Sequence, residues 1–281
     1  MTNKVYVMVT ERILTELERG VVPWKKPWLG SSEGPRSFES GKPYSLLNQM
    51  ILKAPGAYVT LKKLRQLGGW LKKGAARQQV VFWKIYKKQE INKRGESEEK
   101  VIPVLRYYDV YHVDFCEGLP KQDEIPANVG THEIHAALEN LKNYYMAREM
   151  ITLIEGGERA FYRPKTDEIY MPNKVRFLTL EGYYGVLFHE IVHSTGHKTR
   201  LGRLRTKSSD WDTANYGYDR EELVAEMGSA FLLHQFGFQS EEGLMNSSSY
   251  IHSWSEVFRQ DPKVIIHAAS QAEKAVKFVF G

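Results

Sequence analysis

Residues 188–197 read FHEIVHSTGH. His189 and His193 stand four positions apart, and Glu190 directly follows the first. On an α-helix, positions four apart lie about 40° apart around the axis and one turn apart along it. Both imidazoles can therefore aim at one ion, which is the H-E-x-x-H arrangement. Glu190 then hangs over the same point. There it can take a proton from a water that the metal activates and hand it to a leaving amine. The chemistry implied is hydrolysis of a peptide bond, with one Zn2+ expected and another divalent metal as the alternative. His197 continues the spacing, but eight residues of helix span about 12 Å, too far for ligands about 2 Å from one ion. The chain also bends at Gly196, so His197 is excluded as a ligand.

The third ligand must come from elsewhere. A metzincin would place a histidine six residues after His193, where Thr199 stands. The segment REELVAEMGSAFLLHQFG (220–237) has helical apolar spacing, and Glu222 and Glu226 share one of its faces. Catalytic zinc often takes two histidines and one glutamate, while a further carboxylate orients a ligating ring. The spacing resembles the E-x-x-x-D helix of thermolysin-type gluzincins, which implies Glu222 as ligand and Glu226 as the orienting carboxylate. The reverse assignment stays open. His132 and His135 have no third partner and are read as solvated; His234, His252 and His267 stand singly as packing or surface residues. Cys116 is the only cysteine, which excludes an intramolecular disulfide, and it is read as a structural thiol.

These side chains need elements to hold them. Helices are expected at about 180–195 and 219–236, and a pair of helical segments from 246 to the end, with Asp261-Pro262 as a start signal. Thr131 caps another helix through about Arg148, and short strands fall near 151–154, 160–163 and 168–171. Upstream, Val5, Met8, Val9, Ile13, Leu14 and Leu17 recur at helical spacing before Gly20. PWKKPW (23–28) is bracketed by prolines and excluded from helix, and 29–43 reads as loop. Thr60 caps a short helix that ends at Gly68. QVVFWKIY (79–86) and VLRYYDVYHVDF (104–115) are strands, with the charged 87–100 segment as their hairpin loop. EGLPKQDEIPANVG (117–130) is the expected linker between domains 1–120 and 131–281.

Charge divides along the same line. Residues 1–130 carry 22 Lys+Arg against 14 Asp+Glu, a net +8, whereas the remainder nets −3. Within Lys42–Arg94 only Glu90 is acidic among 13 basic residues. Lys62, Lys63, Arg65, Lys72, Lys73, Arg77 and Lys84 interleave with Trp70, Phe82, Trp83 and Tyr86. A cationic surface with rings for base stacking is what single-stranded DNA needs. No apolar run is long enough to cross a bilayer, and with one cysteine a cytoplasmic location is expected.

The order VTERILTELERGVVPWKKPW, SGKPYSLLN, YVTLKKLRQLGGWLKKG, VVFWKIY and VYHVDFCEGLP resembles the N-terminal domain of ArdC-type antirestriction proteins, which also begins some conjugative-plasmid primases. AFYRPKTDEIYMP, LFHEIVHSTGHKTRL, EELVAEMGSAFL and YIHSWSEVFRQDPKVIIHAASQAEKA resemble that family's metallopeptidase domain. The resemblance covers nearly the whole chain. It departs at Ser45 or Leu46, where a glycine is expected. It implies an α+β protein: a small α+β DNA-binding domain, then a mainly helical zincin-like domain with a small edge sheet. The implied role is protection of incoming plasmid or phage DNA from host restriction, with single-stranded DNA as partner and a host restriction or other protein as peptidase substrate. The rival readings are a pure DNA-protecting protein whose metal site is structural or vestigial, and an accessory protein of conjugative DNA processing.

Overall fold

The computed structural model describes residues 3–26, 28, 33–91, 97–120, 131–204, 216–238 and 248–281. Helix α1 (Asn3–Glu18) opens the chain, and its Val5, Val9, Ile13 and Leu17 stripe is buried. Strand β1 (Arg36–Ser37), helix α2 (Leu46–Ile51), strand β2 (Ala57–Val59), helix α3 (Leu61–Gln66) and strand β3 (Trp70–Leu71) follow. Thr60 caps α3 by accepting from the Lys63 N–H at 3.2 Å. Strands β4 (Gln78–Ile91) and β5 (Ser97–His112) then form a long antiparallel ribbon, and β6 (Cys116–Glu117) pairs with β3. The main sheet runs β1-β2-β5-β4.

After α4 (Thr131–Glu149) come β7 (Thr152–Glu155), β8 (Phe161–Arg163) and β9 (Glu168–Met171), in the order β7-β9-β8. Helices α5 (Leu180–Thr195), α6 (Tyr216–Gln235), α7 (Ser248–Gln260) and α8 (Val264–Phe280) complete an α+β architecture.

Three features differ from sequence expectation. The strands of the ribbon run on through the charged segment read as loop, reaching Ile91 and Ser97. The backbone ladder continues there without apolar alternation, and one ion pair crosses it diagonally, Lys87 to Glu99 at 3.0 Å. PWKKPW, excluded from helix, contains a single 3-10 turn at Pro23–Lys25, with proline at its start where the missing N–H costs nothing. Helix α2 and strands β1, β2, β3 and β6 are short elements in stretches read as loop or left unassigned. Of Ser45 and Leu46, at one of which a glycine is expected, Leu46 is fully buried at the start of α2. Of the linker 117–130, residues 121–130 lie outside the described residues.

One apolar cluster joins α1 and α2 to α4, α5, α6, α7 and α8. Trp24, 1% exposed, is its anchor from the N-terminal side and meets Phe258 edge-on at 6.4 Å. Beside it, Lys26 donates to the carbonyls of Met50 at 2.7 Å and Leu52 at 3.1 Å, satisfying the C-terminal end of α2. Lys26 of PWKKPW is thus structural before it is anything else.

Candidate metal centre

Helix α5 begins at a cap: the Thr179 hydroxyl accepts from the Gly182 N–H at 3.0 Å. Its inner face buries Tyr184, Leu187, Phe188, Ile191 and Val192. That packing leaves His189 and His193 on a partly open flank, 18% and 13% exposed at the side chain. Helix α6 lies close against this flank because Gly228 faces Val192. A Cβ there would stand 2.9 Å from both Val192 methyls. The close approach brings Glu222, in the upper half of α6, over the two imidazoles.

The resulting distances define a site. The His189 and His193 Nε2 atoms are 3.1 Å apart. Glu222 Oε2 is 3.3 Å from His189 Nε2, and its Oε1 is 3.4 Å from His193 Nε2. One donor atom from each residue lies within 4.8 Å of the others. Two neutral-capable imidazoles and a carboxylate converging this way fit a divalent cation with an open position. His197 stands outside, past the helix end at Gly196, with Nδ1 on the Thr199 hydroxyl at 2.7 Å.

The carboxylate beside the second nitrogen of His193 is Glu221, a residue that sequence reasoning missed. Its Oε1 is 3.5 Å from His193 Nδ1. Arg203 grips Glu221 from the far side: Nη2 donates to Oε1 at 2.8 Å and Nε to Oε2 at 3.0 Å. Arg203 also donates to the Val192 carbonyl at 2.7 Å and the Thr195 hydroxyl at 2.9 Å, tying the pair to the end of α5. Glu226 is buried one turn further along α6, and its charge is felt by Lys25: burial pulls Lys25 below the ordinary lysine range, and Glu226 works against that pull. The sequence carries only a partial signal for Glu221, one that does not choose between neighbouring glutamates. A ligating imidazole has two nitrogens, and adjacent glutamates at the start of α6 can flank one ring.

Electrostatics follow from this packing. Burial works against a charged His193, but the hydrogen bonds and charges of Glu221 and Glu222 prevail and push it up to about 9. Glu222 is pulled well below the usual carboxylate range: burial opposes the shift, and contacts with both histidines outweigh it. Glu190, 7% exposed, is held above the ordinary range by burial, partly countered by the two histidines and a hydrogen bond from the Tyr162 backbone. Tyr162 belongs to β8, the edge of its sheet. The same residue donates its hydroxyl to Asp167 Oδ1 at 2.6 Å, and Arg200 bridges Asp167 to the Ser194 carbonyl at the end of α5. Edge strand and metal helix are thus locked together around Glu190.

The remaining histidines are not grouped with a third donor among the described residues. His135 corrects the expectation of a solvated ring: it is partly buried, stacked on Phe238 at 5.4 Å. The side chain of His132 lies outside the described residues. Cys116 is buried. His234, 1% exposed, has neither ring nitrogen hydrogen-bonded among the described residues.

The basic residues fall into two places. Lys62, Lys63 and Arg65 lie on α3, and Trp70, Lys72 and Lys73 follow it. Trp70 is 57% exposed, so its ring is free of the core. Lys63 is paired with Glu39 at 2.9 Å, Lys72 donates to the Asp114 carbonyl at 2.9 Å, and Arg77 sits 3.6 Å from Asp109. Trp83 and Lys84 lie on the β4–β5 ribbon, and as neighbours on a strand they face opposite sides.

Comparison with known proteins matches both halves. Residues 3–111 match the N-terminal domain of anti-restriction factor ArdC, and residues 140–271 match a zincin-like metallopeptidase. The crystal structure of the antirestriction ArdC protein of plasmid R388, in its metal-free form, is similar at 30% identity and a TM-score of 0.73, over 98% of this chain and 96% of that one. Its Mn(II)-bound structure is similar at 29% identity and a TM-score of 0.71, with the same coverage. The DNA primase TraC of Escherichia coli is 29% identical over 293 residues, and the y4eC protein of Sinorhizobium fredii (strain NBRC 101917 / NGR234) is 29% identical over 285 residues. The alignments take in 96% of this chain in each case, and 26% of the primase but 89% of the Sinorhizobium protein. The chain thus spans about a quarter of the curated primase's length.

Proposed function

The chain belongs to the ArdC antirestriction family, and on that premise we propose that it is an antirestriction protein of a mobile element, a plasmid, integrative element or phage. In this reading residues 1–120 bind single-stranded DNA and residues 131–281 act as a metal-dependent peptidase, both in the cytoplasm. The observation that carries the peptidase reading is the convergence of His189, His193 and Glu222 beside the buried Glu190.

His189, His193 and Glu222 would hold one divalent ion, with Zn2+ the proposed species. Such an ion supplies Lewis acidity. The chain's own residues do the rest. Glu221 and Arg203 fix the plane of the His193 ring. Glu190, its pKa raised by burial, would take a proton from the water that adds to the peptide carbonyl carbon and pass it to the amine nitrogen as the C–N bond breaks. The outer edge of β8 offers backbone groups to an extended peptide, aligning it across the site. The substrate class is then a host protein, such as a restriction enzyme, presented as an extended segment.

A second reading draws support from the similarity to the amino acid sequence of a primase: the chain serves as a DNA-binding accessory of conjugative DNA processing, and its metal site cuts nothing. Transformation of a restricting host with unmodified plasmid separates the two. Cells expressing the wild-type chain should take up more plasmid, and Glu190→Gln should abolish the advantage. Equal protection by Glu190→Gln would favour DNA coating alone.

A further inference from the structure

The β4–β5 ribbon carries rings and cations that the metal centre does not use. Its register pairs Phe82 with Arg106, Lys84 with Val104, Tyr86 with Ile102 and Val80 with Tyr108. Directly opposed side chains share a face and successive ones alternate. Phe82, Lys84, Tyr86, Arg106 and Tyr108 therefore stand together on one side.

The two sides of the ribbon differ in what they touch. On the other side Val81 and Leu105 enter the main core, and Trp83 meets Tyr6 edge-on at 6.4 Å. Ile85 and Tyr107 on that side are 54% and 52% exposed and carry no cation between them. Its charges are also neutralised, Lys87 by Glu99 at 3.0 Å and Asp109 by Arg77 at 3.6 Å. The first side is buried at its Val80 end, against Tyr58 and Val110, and is open from Phe82 to Tyr86. Phe82, Tyr86 and Tyr108 are 40%, 36% and 39% exposed, which leaves ring surface available to a ligand. Phe82 and Tyr108 lie 5.5 Å apart, tilted by 56°. Lys84 Nζ sits 5.2 Å from the Tyr86 ring centre, and Arg106 donates to the Tyr86 hydroxyl at 3.2 Å.

Exposed rings alone would suit any apolar partner. Rings interleaved with cations call for a ligand with flat apolar faces and negative charge together. Alternate residues of a strand lie about 6.6 Å apart, so each ring has a cation within reach along or across the ribbon. Single-stranded nucleic acid offers unpaired bases to the rings and phosphates to the cations, whereas a duplex keeps its bases stacked away. We propose that this face of the β4–β5 ribbon is the base-stacking platform for single-stranded DNA, with Phe82, Tyr86 and Tyr108 under the bases and Lys84 and Arg106 on the phosphates. The proposal rests on the DNA-binding reading above. It moves the stacking site away from Trp70 and separates Lys84 from its sequence neighbour Trp83.

The test uses the full chain, fluorescein-labelled oligothymidine of roughly 16 nucleotides, and a matched duplex. Anisotropy is followed over a range of salt, with thermal melting of each variant alongside. Phe82→Ala and Tyr86→Ala should each weaken binding by about 5- to 100-fold. Lys84→Gln with Arg106→Gln should lower the log–log salt slope by about 1.4. Lys87→Gln, on the other side, should leave affinity and slope unchanged. A readout that needs no variant is photocrosslinking of the wild type to a bromodeoxyuridine oligonucleotide, with adducts expected within residues 82–86 or 106–108. Adducts at Trp70 with unaffected ring variants would overturn the platform and leave the DNA-binding reading standing. Failure of the wild type to bind any single strand at low salt would overturn both. Self-association of the wild type that Tyr86→Ala removes would make this face a contact between copies and overturn the platform as well.

Discussion

Arg203→Gln tests whether the pair behind His193 acts on the metal centre or only on the fold. The Arg203 side chain is 8% exposed and that of Glu221 13%, so neither charge is well hydrated. The guanidinium holds both carboxylate oxygens, at 2.8 and 3.0 Å. Two unit charges about 4 Å apart at an effective dielectric of 20 attract by about 4 kcal/mol. Removing one partner of a buried pair costs 3–5 kcal/mol in comparable cases, so about 4 kcal/mol is the expected loss of stability. A carboxylate that is no longer held cannot fix the ring it faces, and metal affinity should fall by roughly 10- to 100-fold. Denaturant unfolding in chelator measures the first number. Competition against a chromophoric chelator measures the second. The variant Arg203→Met with Glu221→Leu removes both charges and should recover much of the stability without recovering metal affinity. Arg203→Gln that unfolds easily yet binds metal within twofold of wild type would refute the orienting role of Glu221.

The remaining predictions concern ligands and buried charges. Glu222→Gln should weaken metal binding at least tenfold more than Glu226→Gln, and His197→Ala should leave it unchanged; metal content by mass spectrometry of purified variants checks both. Lys26→Met should destabilise by about 2–3 kcal/mol, because two carbonyls at the end of α2 lose a charged donor; denaturant midpoints measure this. His234 is held neutral by burial, its pKa pulled down to about 4. A depressed histidine lets the unfolded state bind the proton first, so stability is full above about 6.5 and falls as pH drops toward 4. Between pH 7.5 and 5 that contribution amounts to about 2 kcal/mol, and His234→Leu should lose this part of the wild-type pH dependence.

Much of the metal centre was legible because helical geometry is local. H-E-x-x-H fixes two side chains by chain spacing alone, and the apolar pattern of 220–237 marks a helix able to carry a third. Glu221 was not legible, since choosing it requires knowing which side of the His193 ring α6 passes. Arg203 was hidden for the same reason: its partners are a neighbouring helix end and a carboxylate 18 residues on. In the N-terminal half, β-branched and aromatic runs announced β4 and β5, but their charged continuation looks like a loop until the strands are paired. The burial of Trp24 and Lys26 depends on α7 and α2, elements that their own segment does not reveal. The prolines of PWKKPW excluded a helix, but nothing in the segment announced that Trp24 and Lys26 are buried.

The most direct test of the peptidase reading is cleavage of unfolded host peptides by purified wild type and Glu190→Gln, each loaded with Zn2+ or Mn2+, with new N-termini counted by mass spectrometry. Glu190→Gln should keep its metal, because the three ligand residues are untouched. The wild type should generate new N-termini that chelation removes and that Glu190→Gln fails to produce. Wild type and Glu190→Gln cutting at the same sites and rates, or loaded wild type producing no new N-termini at all, would contradict it.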